Sequence, residues 1–280
     1  MTSSRVSASG EPSRLQKLRH YTPTILVAVG VLVGWELLVR VFNIQKFLLP
    51  APSVILNAML NEIRLATTPG EGSILFQATL ATLWSAFGGM CLGCGLGLAV
   101  ALITARWTII SEAAMPFAIA ANSVPIIAFA PIMNNWFGTQ NPASKMSIVA
   151  IIVFFPMMIN TVRGLTLVEP RQLELMQSYA AHPFTILFRL RIPNALPYIF
   201  SALRVASTLS TIGAVVAEFF GGQRVMLGVF ITQEASNFNF ERAWTGIIMA
   251  SVIGLSFYFI VQLTERLIMP WHVSFRNTER

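Results

Sequence analysis

Apolar and polar positions in this chain alternate on the scale of whole membrane crossings. Apolar runs of about twenty residues, enough to cross a ~30 Å hydrocarbon core as helix, are separated by polar segments. Six such runs are predicted, near residues 24–42, 76–103, 113–135, 145–162, 197–220 and 243–267. Pro116, Pro125 and Pro131 interrupt the third. That predicts kinks, which lipid tolerates only where neighbours satisfy the freed carbonyls. Residues 43–75 read as a loop with Pro50 and Pro52, then a short amphipathic segment; residues 221–242 read as a semi-polar loop. One membrane domain, 24–267, lies between polar tails at 1–23 and 268–280. The first tail is basic and has no apolar core, and the run after it carries no small-residue cleavage site, so a cleaved signal peptide is not expected.

One polar stretch breaks the pattern. Glu169-Pro170 opens a helix, because proline suits the first helical position. Leu173, Leu175, Met176, Tyr179 and Ala180 share one side of it. Arg171, Glu174, Gln177 and Ser178 share the other, with Gln172 out of place. Proline disfavours helix at the residue before it, so His182-Pro183 is expected to interrupt. A second short helix would then carry Phe184, Leu187, Phe188 and Arg189, ending at Pro193 and Pro197. The result is a bent two-helix elbow over about 169–193. It either lies on lipid headgroups or docks a partner.

Composition agrees with a polytopic helical protein: 55% hydrophobic and 11% charged residues, with mean hydropathy +0.66. With the N-terminus inside, twelve Lys and Arg residues fall on the cytoplasmic side and six opposite. This bias puts both termini and the elbow in the cytoplasm. The net charge of +7 follows that topology and does not call for nucleic acid. All twelve acidic residues are glutamate. Cys91 and Cys94 form a CxxC that could suggest redox or metal chemistry, but Gly88, Gly89, Gly93, Gly95 and Gly97 crowd the same run, which favours a packing face. No GxxxxGK[ST], HExxH or GxSxG is present, and the histidines are only His20, His182 and His272. No catalytic set, ATPase motif, metal site or resident cofactor is therefore expected.

ELMQSYAAHPFTILFRLRIP, Glu174 to Pro193, resembles the cytoplasmic "EAA" loop of bacterial ABC-importer permeases. Glu174 falls on the motif's Glu, Ala180 on its Gly, and Leu190, Ile192 and Pro193 on its end. Leu175 and Met176 replace the two alanines. Because alanine in a left-handed turn costs of order 1 kcal/mol, the bend is expected to move to His182-Pro183. LLPAPSVI, NSVPIIAFAPIMNNWFGTQNPASK and ALPYIFSALRVASTLSTIGAVVAEFFGG resemble further segments of the branch that imports nitrate, sulfonates, taurine and thiamine or riboflavin precursors. The resemblance implies a type I ABC-importer permease fold of six transmembrane helices in the bacterial inner membrane. It also implies a second permease copy, an extracytoplasmic solute-binding protein, and an ATPase subunit that holds ATP and Mg. The elbow, with Arg171, Glu174, Ser178, Ala180, His182, Pro183, Phe184 and Arg189, would then couple to that ATPase.

Polar groups in spans are costly in hydrocarbon and mark candidate path residues: Asn122, Ser123, Asn134, Asn135, Trp136, Ser207, Thr208, Ser210, Thr211 and Glu218. Glu218 either faces the path or pairs with a basic residue such as Arg224. Arg204 is expected to snorkel to the cytoplasmic interface, and Glu36 to pair with Arg40 at i+4. The path is rich in aromatics (Phe117, Phe129, Phe137, Phe219) and poor in cations. That favours an aromatic heterocycle, such as a pyrimidine or flavin vitamin or precursor, over a sulfonate, nitrate or taurine-type anion. An ion-coupled secondary transporter would need intramembrane carboxylates, and only Glu36 and Glu218 qualify.

Overall fold

The computed structural model describes residues 14–68, 72–104 and 108–270. Arg5, Arg106, His272, Arg276 and Arg280 lie outside them. Among the described residues all regular structure is helical: α1 (Arg14–Val41), α2 (Pro52–Thr67), α3 (Ile74–Thr104), α4 (Thr108–Asn122), α5 (Ala130–Phe137), α6 (Pro142–Thr166), α7 (Pro170–Ser178), α8 (Pro183–Ile186), α9 (Ile192–Phe219), α10 (Leu227–Ser236) and α11 (Phe240–Ile268).

Helix α6 is the axis of the molecule: 56% of its span is buried, against 6% for α1. Ile148, Val149 and Val153 on α6 are fully buried, because α3 and α9 close on it from two sides. The α3 contact depends on Gly89, Gly93 and Gly97, spaced by four and so on one helix face. A Cβ on Gly89 would come 2.7 Å from Met146 O, and one on Gly97 2.7 Å from Phe154 O. In lipid, where burying apolar surface gives no preference for protein over lipid tails, such close backbone approach is a main source of helix association. Cys94 packs in this seam with Val153 and Met157, while Cys91 is exposed and both thiols are free. Gly95 faces open space, so the packing face is narrower than the glycine run suggested. No His, Cys or Glu cluster suited to a metal occurs among the described residues.

Five helices are long and apolar enough to cross a membrane, in α1, α3, α6, α8–α9 and α11. The expected third span is not one helix. Helix α4 accommodates Pro116 but stops at Asn122; a 3₁₀ turn follows at Ile126–Phe129, and α5 restarts with Pro131 in its first turn. Pro125 falls in the break, where it lacks an N–H and restricts the residue before it. Helix α1 begins at Arg14, so the expected tail boundary at 23 falls within a helix. The amphipathic segment after Pro52 is α2, with Ile55 and Glu62 turned inward.

Two expectations are corrected. The stretch 221–242 contains α10, whose Leu227, Phe230 and Glu234 are buried. Its ten residues are too few to span a bilayer, and their period of three to four is masked by polar neighbours. Pro193 and Pro197 do not end the second limb of the elbow either. A π-helical stretch, Leu187–Arg191, joins α8 to α9, and Pro183–Phe219 runs as one 37-residue helical rod. Pro193 sits in the first turn of α9, where the altered register of the π stretch absorbs the missing donor.

Candidate functional site

The elbow is built by two caps. Pro170 begins α7, and α7 ends in a left-handed residue. That residue is Ala180, at φ +50°, contrary to the expectation that the bend had moved to His182-Pro183. Ala180 N–H donates to Gln177 O at 2.9 Å and Ala181 N–H to Met176 O at 3.0 Å. This is the Schellman pairing that usually uses glycine. The two hydrogen bonds offset the cost of alanine in this region. His182 then caps α8, its Nδ1 accepting from Phe184 N–H at 3.4 Å and its ring stacking on Phe184 at 5.6 Å.

Nothing in α7 or α8 is buried. Arg171, Glu174, Ser178, His182, Pro183 and Arg189 are exposed. The apolar side of the elbow is open as well: Leu175, Tyr179, Phe184 and Phe188 are all more than half exposed.

At the far end of α9 lies a buried charge centre. Glu218, 1% exposed, accepts at Oε2 from Thr82 Oγ1 at 3.0 Å and from Gly228 N–H at 2.7 Å. Thr82 Oγ1 in turn accepts from Leu227 N–H at 2.9 Å, so the first two amides of α10 are both taken. Lys145 is fully buried and donates to Asn134 Oδ1 at 2.9 Å and Thr139 O at 2.7 Å. The Asn134 amide donates to Phe220 O at 3.1 Å. Glu218 thus has Thr82, Gly228 and the nearby charge of Lys145 as its surroundings, in place of the expected Arg224, which is exposed.

Other charges are also paired. Arg40 donates to Glu36 at 2.6 Å, as the i+4 spacing predicted, and Glu36 also receives Ser53 N–H at 3.0 Å, tying α1 to the start of α2. Arg204, partly exposed, donates to Glu265 near the C-terminal end of α11 at 3.3 Å. Arg242 bridges Glu62 and Glu234, each at 2.8 Å, linking α2, α10 and α11.

An open groove of about 430 Å³ runs between α9, α10 and α11. Its walls include Ile212, Phe219, Ile231 and Leu255, and its polar atoms come from Thr208, Thr211 and Ser251. Thr211 is 4% exposed, and its hydroxyl has no hydrogen-bond partner. Of the sequence-derived path residues, Thr208 and Thr211 line this groove, with Phe219 from the aromatics. Asn134 and Glu218 meet in the charge centre. Ser207 is buried and bonds back to Arg204 O at 2.7 Å. Asn122 and Ser123 are exposed at the α4 break and Trp136 on α5. Sequence reading missed Thr82, Lys145 and Gly228 around Glu218, and Ser251 and Gly254 in the groove. Lys145 did carry a signal, since a cation four residues into an apolar helix must find acceptors.

Residues 93–269 match the family described as binding-protein-dependent transport system inner membrane component. The riboflavin transport system permease protein of Chloroflexus aurantiacus is 30% identical, over 87% of this chain and 88% of its own length. The formylaminopyrimidine transport permease protein of Halalkalibacterium halodurans is 29% identical, over 89% and 95%. The taurine transport system permease protein of Escherichia coli is 25% identical, over 91% of each. With its apolar helical spans, the chain belongs to the binding-protein-dependent inner membrane components, the permease subunits of ABC importers for small solutes.

Proposed function

We propose that this chain forms the path of an ATP-driven importer for a neutral or weakly charged aromatic heterocycle, of the pyrimidine or flavin vitamin and precursor class. The groove carries this reading. Its lining has no Lys, Arg, His, Asp or Glu, and its polar groups are hydroxyls. An anion path calls for cations or helix N-termini. Apolar walls with a few hydroxyl-bearing residues, among them Thr208 and Ser251, suit a flat ring bearing a few hydrogen-bonding atoms. The relatives named for riboflavin and formylaminopyrimidine, at 30% and 29% identity, fit the same class.

A second identical copy completes the path. An extracytoplasmic binding protein delivers the solute, and the groove faces alternate sides as the two copies move. The elbow receives the partner ATPase, which alone binds ATP and Mg; this chain catalyses no reaction. Its exposed Leu175, Tyr179, Phe184 and Phe188 are the apolar anchors that such an interface needs, and Arg171, Glu174, Ser178 and Arg189 supply a polar rim. Both termini lie in the cytoplasm, on the side of the elbow.

The test is reconstitution into liposomes with its partner ATPase and binding protein, measuring uptake of riboflavin, a formylaminopyrimidine and taurine. ATP-dependent uptake of a ring compound is expected. Uptake of taurine alone would replace the solute class with an anion. Uptake driven by an ion gradient without the ATPase would overturn the importer reading.

A further inference from the structure

The charge centre behind the groove is more elaborate than an anchor requires. Burying an ion costs several kcal/mol unless hydrogen bonds and a counter-charge offset it. A neutral pair could hold two helices together. Here each charge instead lies where a helix end favours it. The Glu218 carboxylate meets the N-terminus of α10 through Gly228 N–H, and through Thr82 it also fixes Leu227 N–H. The Lys145 ammonium donates to the carbonyl of Thr139, just past the end of α5, and reaches Phe220, the cap just past the end of α9, through Asn134. Carboxylates are favoured at helix N-termini and cations at C-termini. The two loops that cover the centre are themselves joined, Gln223 Nε2 donating to Gln140 O at 2.8 Å.

The set is one bond short. Glu218 Oε1 is buried without a partner. Lys145 reaches the chain two residues from Glu218, at Phe220 O through Asn134, yet the two charges make no direct ion pair. The centre also adjoins the groove: Val215, Val216 and Phe219 line the groove from the same end of α9, and Ile231 lines it from α10, the helix that Glu218 holds. Gly228 is needed for this approach, since a Cβ there would come 2.6 Å from Glu218 Cβ.

We propose that Lys145 and Glu218 act as one positioning unit for transport, setting α10, and with it Ile231, against the outer part of α9 so that this end of the groove opens and closes with the nucleotide cycle. The proposal rests on the groove being the path. Neither residue need touch the solute; both act through α10. The two segments that carry them, NSVPIIAFAPIMNNWFGTQNPASK and the run ending AEFFGG, are thereby two parts of one device, although Lys145 and Glu218 are far apart in the chain.

The experiment uses the full chain reconstituted with its ATPase subunit, with Cys91 and Cys94 replaced by alanine and Ile231→Cys as the reporter. Labelling by a membrane-impermeant maleimide is measured without nucleotide and with ATP plus vanadate. The ratio of the two rates is expected to fall at least threefold in Glu218→Gln and in Lys145→Met. It should recover by at least half in the double variant, which leaves neither charge unopposed, and in Lys145→Arg. Thr82→Val loosens the same hold on α10 without changing charge, and should lower the ratio equally; it answers the question if a charge variant fails to assemble. Unchanged ratios in the single variants and in Thr82→Val, or effects in the double variant that simply add, overturn the positioning unit. If the unmodified centre gives no nucleotide-dependent labelling, the groove reading fails and this inference fails with it.

Discussion

The charge centre at the end of α9 and the elbow at α7–α8 are opposites. In the first, charged side chains are fully buried, and the chain supplies almost every partner itself: Thr82, Asn134, Thr139 and Gly228 answer Glu218 and Lys145. In the second, apolar side chains are left in the open and nothing is buried. One region is finished by the chain; the other is left open, as the proposed docking to an ATPase requires. The difference separates residues whose loss should cost folding from residues whose loss should cost only assembly.

The largest effect is expected where the chain completes itself. Glu218→Ala removes the acceptor from Gly228 and Thr82 and leaves Lys145 as a buried cation without its counter-charge. Each buried polar group left without its partner costs about 1–3 kcal/mol. Thermal unfolding in detergent should show a large fall in midpoint, and an unchanged midpoint would erase the contrast. The reverse is expected at the elbow. Tyr179→Ala with Phe188→Ala should leave the midpoint of the isolated chain nearly unchanged, within about 0.5 kcal/mol. Affinity for the ATPase subunit should drop at least tenfold, about 1.4 kcal/mol. A stability loss without an affinity loss would make these side chains part of the chain's own packing. The smallest effect sharpens the elbow itself. Ala180→Gly should raise stability by about 1 kcal/mol, because glycine adopts φ +50° without a Cβ clash. A fall would mean that the Schellman bonds do not dominate the bend.

Much of the fold was legible because hydropathy alone reports a membrane crossing. Helices α1, α3, α6, α9 and α11 follow from it, and the prolines foretold trouble in the third span. Their separate outcomes were not legible: Pro116 was absorbed, Pro125 marks the break and Pro131 starts a helix, and the choice depends on neighbours. Helix α10 escaped because it is short and half polar, and its burial depends on Thr82 and Glu218 from other helices. At Ala180 the local rules conflicted, alanine's penalty against proline's restriction, and two carbonyls at the end of α7 decided the outcome. Glu218 was singled out as a carboxylate within a span, but the basic residue closest in sequence, Arg224, was a poor guide to its surroundings. Lys145 is distant in the chain and stands at the first residue of an expected span, where a cation reads as a boundary charge. Path residues were the least legible part. A polar side chain in a span can satisfy itself on its own helix, as Ser207 does, and sequence does not distinguish that from a residue such as Thr211 with a free hydroxyl.

The continuity from Pro183 to Phe219 has a mechanical consequence. At about 1.5 Å per residue, 37 residues make a beam of roughly 55 Å, well beyond the thickness of a bilayer core. One end carries the elbow and the other ends beside Glu218. A rotation of a few degrees imposed at the elbow would become a displacement of several ångströms at the far tip, with the π stretch at Leu187–Arg191 as the natural place for the beam to flex.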